Sequence, residues 1–159
     1  MKLSSTARYG LRAMSDLCTY SNDEPVSVSD ISLRQNIPAM YLEQLFGKLR
    51  RAGLLESVRG AQGGYKLARD AGEISIADIL RALGEPVIFG SCQTDKGCEN
   101  APMCPTFRLW RKVKGSIDEI LETTTLRDLA DENISLLEQF ESDPEREEVR
   151  QKAIKSKEA

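Results

Sequence analysis

Apolar positions along the chain mark a succession of short helices interrupted by one hairpin. Ala7, Leu11, Met14 and Cys18 recur at spacings of four, three and four, one face of a helix over 5–20. Ser5 or Thr6 is placed to cap it. Ser21-Asn22-Asp23-Glu24-Pro25 is a polar turn. Ser27 then suits the cap of a short helix over 28–36, with Asp30 three residues on as in a capping box and Val28 and Ile31 turned inward. Asn36-Ile37-Pro38 breaks that helix, and Pro38 is tolerated at the start of the next, about 39–52. Here Leu42, Leu45, Phe46 and Leu49 follow the i, i+3, i+4, i+7 rule and form a buried face. The opposite face carries Met40, Gln44, Gly47 and Arg51, flanked by Glu43 and Lys48, and Gly53 ends the helix.

Leu54 to Arg59 and Tyr65 to Leu67 are short β runs around Gly60-Ala61-Gln62-Gly63-Gly64, which predicts a hairpin with Arg59 and Lys66 near its tip. Ser75 caps a helix over 76–83 with Ile76, Ile79, Leu80 and Leu83 inward, and Gly84-Glu85-Pro86 stops it. Val87-Ile88-Phe89 is a brief apolar anchor before a polar, cysteine-bearing stretch. Pro105 opens a helix to about Thr123, in which Leu109, Val113, Ser116, Ile117, Ile120 and Thr124 form a seam suited to another helix, widened by Trp110 and Leu121. The short helices upstream cannot cover so much apolar surface, so the expected partner is a second copy of the chain. Thr125 caps a last helix from Leu126 to about Phe140, with Leu129, Ile134, Leu136 and Leu137 as its apolar positions.

The predicted fold is mainly α with a small β-hairpin wing: a winged helix-turn-helix with a long C-terminal dimerisation helix. The division expected is 1–84 for the winged head, 85–105 for a cysteine loop, 106–140 for the dimerisation and C-terminal helices, and 141–159 for a charged, disordered tail.

Composition sharpens this in three places. No apolar run approaches the ~18 residues of a membrane span. Arg8, Arg12 and Asp16 interrupt any signal-peptide core, so a cytoplasmic protein without membrane partners is expected. The net charge of −3 conceals an asymmetry: residues 1–70 hold ten Lys/Arg against seven Asp/Glu, and residues 71–159 hold twelve against eighteen. Only the first part is basic, as phosphate contact requires. Glu43 and Gln44 are types that read base edges, Glu accepting from cytosine and Gln pairing with adenine. Gly47 lets a backbone approach closely, and an arginine on a wing, here Arg59, suits a narrow minor groove. The ordinary alternative is a solvated polar face and a solvated arginine.

The third place is the run from Cys92 through Cys98 to Cys104, two intervals of five residues in a segment with almost no apolar content. Such a segment cannot fix its shape by hydrophobic burial, and thiolates bind soft metals and iron–sulfur clusters. Cys104 stands at a helix N-terminus, which lowers a thiol pKa. Cys18 lies on an apolar stripe and is expected to be inert. The chain has no histidine, no nucleotide-binding glycine motif and no four-cysteine ferredoxin pattern. An enzyme is therefore not expected, and an iron–sulfur electron carrier is a remote alternative.

Over residues 1 to about 135 the sequence resembles the Rrf2 family of bacterial transcription factors. The motifs that carry the resemblance are Met1-Lys2-Leu3-Ser4-Ser5-Thr6-Ala7-Arg8-Tyr9, Tyr41-Leu42-Glu43-Gln44-Leu45-Phe46 and Val58-Arg59-Gly60-Ala61-Gln62-Gly63-Gly64-Tyr65. The cysteine spacing resembles the branch that regulates iron–sulfur cluster assembly, and also the nitric-oxide-sensing branch. The resemblance implies a homodimer on palindromic double-stranded DNA operators, base reading by Glu43 and Gln44, and a minor-groove Arg59; Lys48 and Arg51 are candidates for phosphate contact. Met40 stands where the assembly regulator has a base-reading serine, which points to a different preferred operator.

The resemblance also implies a cluster on Cys92, Cys98 and Cys104, but its fourth ligand departs from the pattern. Phe107 occupies the place of the assembly regulator's histidine, and Arg8 that of the nitric-oxide sensor's aspartate. Asp16, Asp95, Glu99, Cys18 or an exogenous small molecule remain as candidates. A 2Fe–2S centre needs two ligands on each iron, whereas a 4Fe–4S cube can be held by three cysteines, so the cube is favoured and 2Fe–2S is the alternative. The same fold with a thiol redox switch or a structural zinc is the competing reading.

Overall fold

The structure is a computed structural model that describes residues 3–22, 24–87 and 98–141. Among the described residues, six helices and one hairpin follow in order: α1 (Ser5–Tyr20), α2 (Val28–Gln35), α3 (Ala39–Arg51), β1 (Leu55–Val58), β2 (Gly64–Leu67), α4 (Ile76–Leu83), α5 (Pro105–Thr123) and α6 (Leu126–Glu141). Single 3-10 turns at Ala71–Glu73 and Ala101–Met103 precede α4 and α5. No helix among the described residues is long and apolar enough to cross a membrane.

The helix boundaries follow local chemistry. The cap of α1 is Ser4 rather than Ser5 or Thr6: its hydroxyl accepts from the Ala7 N–H at 3.0 Å. Ser27 accepts from the Asp30 N–H at 3.1 Å. Asn36 closes α2 in the left-handed region at φ 52, tolerable for Asn because its short polar side chain suits that conformation. Ser75 and Asp78 form a reciprocal capping box at the start of α4. Thr125 and Asp128 exchange the same pair of bonds before α6, at 2.8 and 3.2 Å.

The inner face of α3 is buried as its spacing predicts: Leu42, Leu45, Phe46 and Leu49 are each 2% exposed or less. They share one core with Met14 and Leu17 of α1, Ile31 of α2, Leu54 and Leu55 at the hairpin, and Ile74, Ile79 and Leu83 around α4. Each such side chain removed from water contributes about 1.5–3 kcal/mol.

The two strands pair antiparallel, with Leu55 opposite Leu67, Glu56 opposite Lys66, Ser57 opposite Tyr65 and Val58 opposite Gly64. This register corrects one expectation. Arg59 is exposed at the turn, but Lys66 lies two pairs back from it and forms an ion pair with Glu56 at 3.4 Å. The hairpin is anchored along its second strand, close to the turn. Val26 and Tyr65 exchange two backbone hydrogen bonds of 2.9 Å. Gly64 is required there, since a Cβ would collide with the Val26 carbonyl.

Helix α6 folds back on α1. Its start is tied to the head by Ile76 N–H to the Thr124 carbonyl, 3.0 Å, and Leu126 N–H to the Ile74 carbonyl, 2.8 Å. The Ser15 hydroxyl donates to the Leu129 carbonyl at 3.4 Å and the Asn133 amide to Thr19 Oγ1 at 3.1 Å. Leu126 and Ala130 are buried and Leu129 is partly covered, whereas Ile134, Leu136 and Leu137 are exposed. Of the four apolar positions expected for this helix, only Leu129 packs on the core; Leu126 belongs to that core and Ala130 is also buried.

Helix α5 has no buried residue. Leu109 is 54% exposed and Ile120 61%, while Val113 and Ile117 are half-buried. It leans on α4 through Leu121 and an Arg81–Glu122 ion pair, leaving the seam expected from the sequence turned largely to solvent.

Beneath the first two helices lies a carboxylate without water. Asp16 is 0% exposed. Its two oxygens accept from Arg34 Nε at 3.1 and 3.0 Å, from Arg34 Nη2 at 2.6 Å, and from the Gln35 amide at 2.8 Å. Arg12 reinforces the cluster, donating to the Gln35 carbonyl at 2.6 Å. The carboxylate raises the Arg34 guanidinium above its ordinary pKa, chiefly through the hydrogen bond itself. Arg34 keeps a 30% exposed side chain, whereas Asp16 has no route to solvent. Removing the arginine strands a buried charge; removing the carboxylate strands one that can hydrate. Arg34→Met is therefore expected to cost about 3–5 kcal/mol in urea unfolding and Asp16→Asn distinctly less. Equal losses would show that the asymmetry of burial does not govern the pair.

Candidate nucleic-acid interface and cysteine segment

The turn between α2 and α3 places the outer face of α3 on the surface. Met40 is 78% exposed at its first turn. Glu43, Gln44, Lys48 and Arg51 are exposed in succession along it. Gly47 sits among them with no atom within 4 Å of where a Cβ would stand, so the middle of the face is open to close approach. The six positions singled out from the sequence thus lie on one helix and the adjoining hairpin turn.

Two of these side chains already have partners. The Lys48 ammonium donates to the Leu83 carbonyl at 3.1 Å, bracing α3 against the end of α4 while retaining two further donors. Glu43 Oε2 accepts from the Tyr65 hydroxyl at 3.0 Å, so the second strand of the wing holds a residue of the outer face. Tyr65 also stands edge-on to Phe46, with centroids 5.0 Å apart and planes at 74°. Burial, then the Glu43 carboxylate, push the Tyr65 hydroxyl above its usual pKa, so it remains a donor at neutral pH.

Sequence reasoning missed other contacts on this side of the molecule. Arg50, in the last turn of α3, donates to the Ser57 hydroxyl of β1 at 3.3 Å. Tyr41 shares a 3.0 Å hydrogen bond with Thr6 and meets Tyr9 edge-on. The Arg8 and Arg12 guanidiniums lie 5.5 and 5.9 Å from the Tyr9 ring centre. The available signal was the placement of Tyr9, Tyr41 and Tyr65 inside the same motifs that carry Arg8, Glu43 and Arg59.

Two of the three loop cysteines fall within the described residues; Cys92 and Asp95 lie outside them. Cys98 is exposed, as is Glu99, and the Cys98 carbonyl accepts from the Ala101 N–H at 3.0 Å to begin the 3-10 turn. Cys104 ends that turn and is the cap residue of α5. Its thiol lies 3.1 Å from the Thr106 hydroxyl. That contact first, and then the Phe107 and Thr106 N–H groups, hold it below the usual thiol pKa. Cys18 is the reverse case: half-buried on α1, its thiol is pushed up by burial, against the pull of the Arg127 guanidinium.

Among the described residues, no three His, Cys, Asp or Glu side chains gather closely enough to hold a metal. The donor chemistry still suits a soft centre: an exposed thiol at Cys98, an acidified one at Cys104, and no histidine to compete. Of the candidate fourth ligands, Asp16 is already saturated by Arg34 and Gln35 beneath α2.

A helix-turn-helix with an open polar outer face, followed at once by a hairpin fastened to it, defines a winged helix-turn-helix DNA-binding protein. Residues 3–132 match the family described as "Rrf2: Iron-dependent Transcriptional regulator". The chain belongs to the Rrf2 family: it is a DNA-binding transcriptional regulator and not an enzyme. It is similar to "HTH-type transcriptional regulator IscR" of Vibrio vulnificus, 45% identical over 133 residues that span 84% of this chain and 79% of that one. Among solved structures it is similar to T. potens IscR, with TM-score 0.67 and 41% identity over 84% of this chain and 88% of the other. It is likewise similar to CymR (YrzC), "the Global Cysteine Regulator of B. subtilis", with TM-score 0.70 and 37% identity over 82% and 97%.

The two described thiol environments make opposite demands on a thiol reagent. In metal-free, reduced protein near neutral pH, Cys104 carries more thiolate than an ordinary cysteine and Cys18 less. Iodoacetamide followed by peptide mass spectrometry is expected to modify Cys104 well before Cys18. The opposite order would contradict the helix-terminus effect at Cys104.

Proposed function

We propose that this regulator binds palindromic operators as a homodimer, and that its affinity follows the state of an iron–sulfur cluster held by Cys92, Cys98 and Cys104. The observation that carries the reading is the position of Cys104. Cys104, with its acidified thiol, is the residue at which α5 begins, and α5 is rooted at its other end in the DNA-reading head. The family description and the IscR names of its relatives point the same way.

Each residue then has a task. Glu43, Gln44 and Met40 face base edges in the major groove, the methionine offering an apolar surface suited to a thymine methyl. Arg59 enters the adjoining minor groove, and Lys48 and Arg51 meet phosphates. The seam of Leu109, Val113, Ile117 and Ile120, exposed at its first and last positions and half-buried between, pairs with its copy in a second chain, which sets the spacing of two α3 helices. A bound cluster supplies a redox-labile crosslink, favoured as 4Fe–4S over 2Fe–2S because the chain contains no histidine. The thiols hold the segment before α5 in one shape when ligated and release it when not.

Absorption, iron and sulfide content, and Mössbauer spectra of anaerobically isolated protein test the cofactor. A brown protein carrying both elements is expected; a colourless, iron-free one that binds its operator fully would end the reading. Operator affinity of loaded protein against a triple Cys→Ala variant tests the switch, with a difference of about 5–150-fold expected for an ordinary allosteric coupling. Equal affinities would remove it. A second reading, a thiol redox switch on the same fold, is favoured by the low pKa of Cys104 and the exposure of Cys98. It predicts metal-free protein whose DNA binding responds to peroxide.

At the DNA face, Arg59→Ala is expected to weaken specific binding by about 1–3 kcal/mol. Arg51→Ala is expected to weaken all duplexes alike and to lower the salt slope by about one unit. An unchanged slope would place Arg51 away from phosphate.

A further inference from the structure

Glu43 is the only acidic side chain on the outer face of α3, the face proposed to meet a polyanion. A carboxylate is tolerated there only if it returns something specific, and a freely rotating one returns little, because its rotamers must be fixed at the moment of binding. The structure shows that freedom already reduced. The Tyr65 hydroxyl donates to Glu43 Oε2 at 3.0 Å, across 22 residues of sequence. Tyr65 itself is anchored by its ring, edge-on to the buried Phe46, and by its backbone, through two hydrogen bonds to Val26.

We infer that Tyr65 is the positioning residue for base discrimination: its hydroxyl holds one Glu43 oxygen so that the other is presented to a base-edge donor such as the cytosine amino group. The inference rests on the proposed base-reading role of Glu43 and adds what aims it. One carboxylate oxygen is engaged by the phenol, and the carboxylate has acceptor capacity to spare for a base amino group. The same contact also ties the reading of the major groove to the wing, since Tyr65 is the strand partner of Ser57, two residues before Arg59.

The test uses a palindromic duplex recovered by in vitro selection from a randomised pool, together with duplexes carrying each single base-pair change in its half-sites. Binding is measured for the full chain, Tyr65→Phe, Glu43→Ala and the double variant. Tyr65→Phe keeps the ring against Phe46 and leaves the net charge unchanged. Its melting temperature and salt slope should therefore match the parent, while discrimination at the base pair read by Glu43 falls about 5- to 30-fold. The double variant should lose no more discrimination than Glu43→Ala alone, which a merely structural role would not produce. Full discrimination by Tyr65→Phe, with Glu43→Ala losing it, overturns the positioning role and leaves the reading role of Glu43 standing. Additive losses in the double variant overturn it as well. Full discrimination by Glu43→Ala overturns the reading role, and this inference with it.

Discussion

Phe46 has no contact with water, and what surrounds it determines what α3 can show to DNA. A helix presents a polar outer face in a fixed direction only if its inner face is held, and here Leu42, Leu45, Phe46 and Leu49 hold it. Tyr65 reaches the same core from the wing and meets Phe46 edge-on. The recognition helix and the hairpin are thus two surfaces of one packed unit. Protein interiors resist small displacements because they are close-packed, so a residue of the wing keeps its relation to a residue of the helix. The two readouts proposed for this face, one in each groove, would require that rigidity.

The Asp16 cluster serves the same end by different physics. Burying a charge is expensive, and an ion pair of this kind is weak evidence for stability. Its value lies in direction. Arg34 and Gln35 occupy the last turn of α2, and only one placement of α2 on α1 lets three donors converge on one carboxylate. Apolar packing among core residues such as Ile31 and Met14 would tolerate sliding. The hydrogen bonds set the position of α2, and through the Asn36 turn that of α3.

Much of this was legible because local rules decide it. The period of α3, the glycine-rich turn of the wing, and Ser27, Ser75 and Thr125 as caps are all readable within a few residues of each position. The contacts that aim the site are of another kind. Glu43 meets Tyr65, Asp16 meets Arg34, and Lys48 meets the Leu83 carbonyl, each across a turn or a whole element. No period encodes such pairings. Asp16 is instructive: as an acidic residue on a helix it read as an available ligand, and the fold had already committed it. Helix α6 misled for a related reason. It carries apolar residues on more than one side, and spacing alone does not say that Leu126 and Ala130 are buried while Ile134, Leu136 and Leu137 remain outside.

Helix α5 is where the described fold and the proposed regulation meet. Its C-terminal end is fixed, since Thr124 accepts from Ile76 beside the cap of α4, and Leu126 donates back to Ile74. Its N-terminal end begins at Cys104, whose thiol lies 3.1 Å from the Thr106 hydroxyl of the first turn. At about 1.5 Å per residue, the 19 residues between form a rod of roughly 28 Å with no buried side chain along it. A rod rooted at one end and exposed along its length is set by what it pairs with and by what grips its free end. In the proposed regulator, pairing would supply the first constraint and ligation of Cys104 the second. A small change in angle at the thiol end is carried to the root beside α4, and α4 is braced to α3 by Lys48. On the proposed reading, the head would need no internal rearrangement to respond: a change in the angle of α5 would move the recognition helices of the two proposed copies as units.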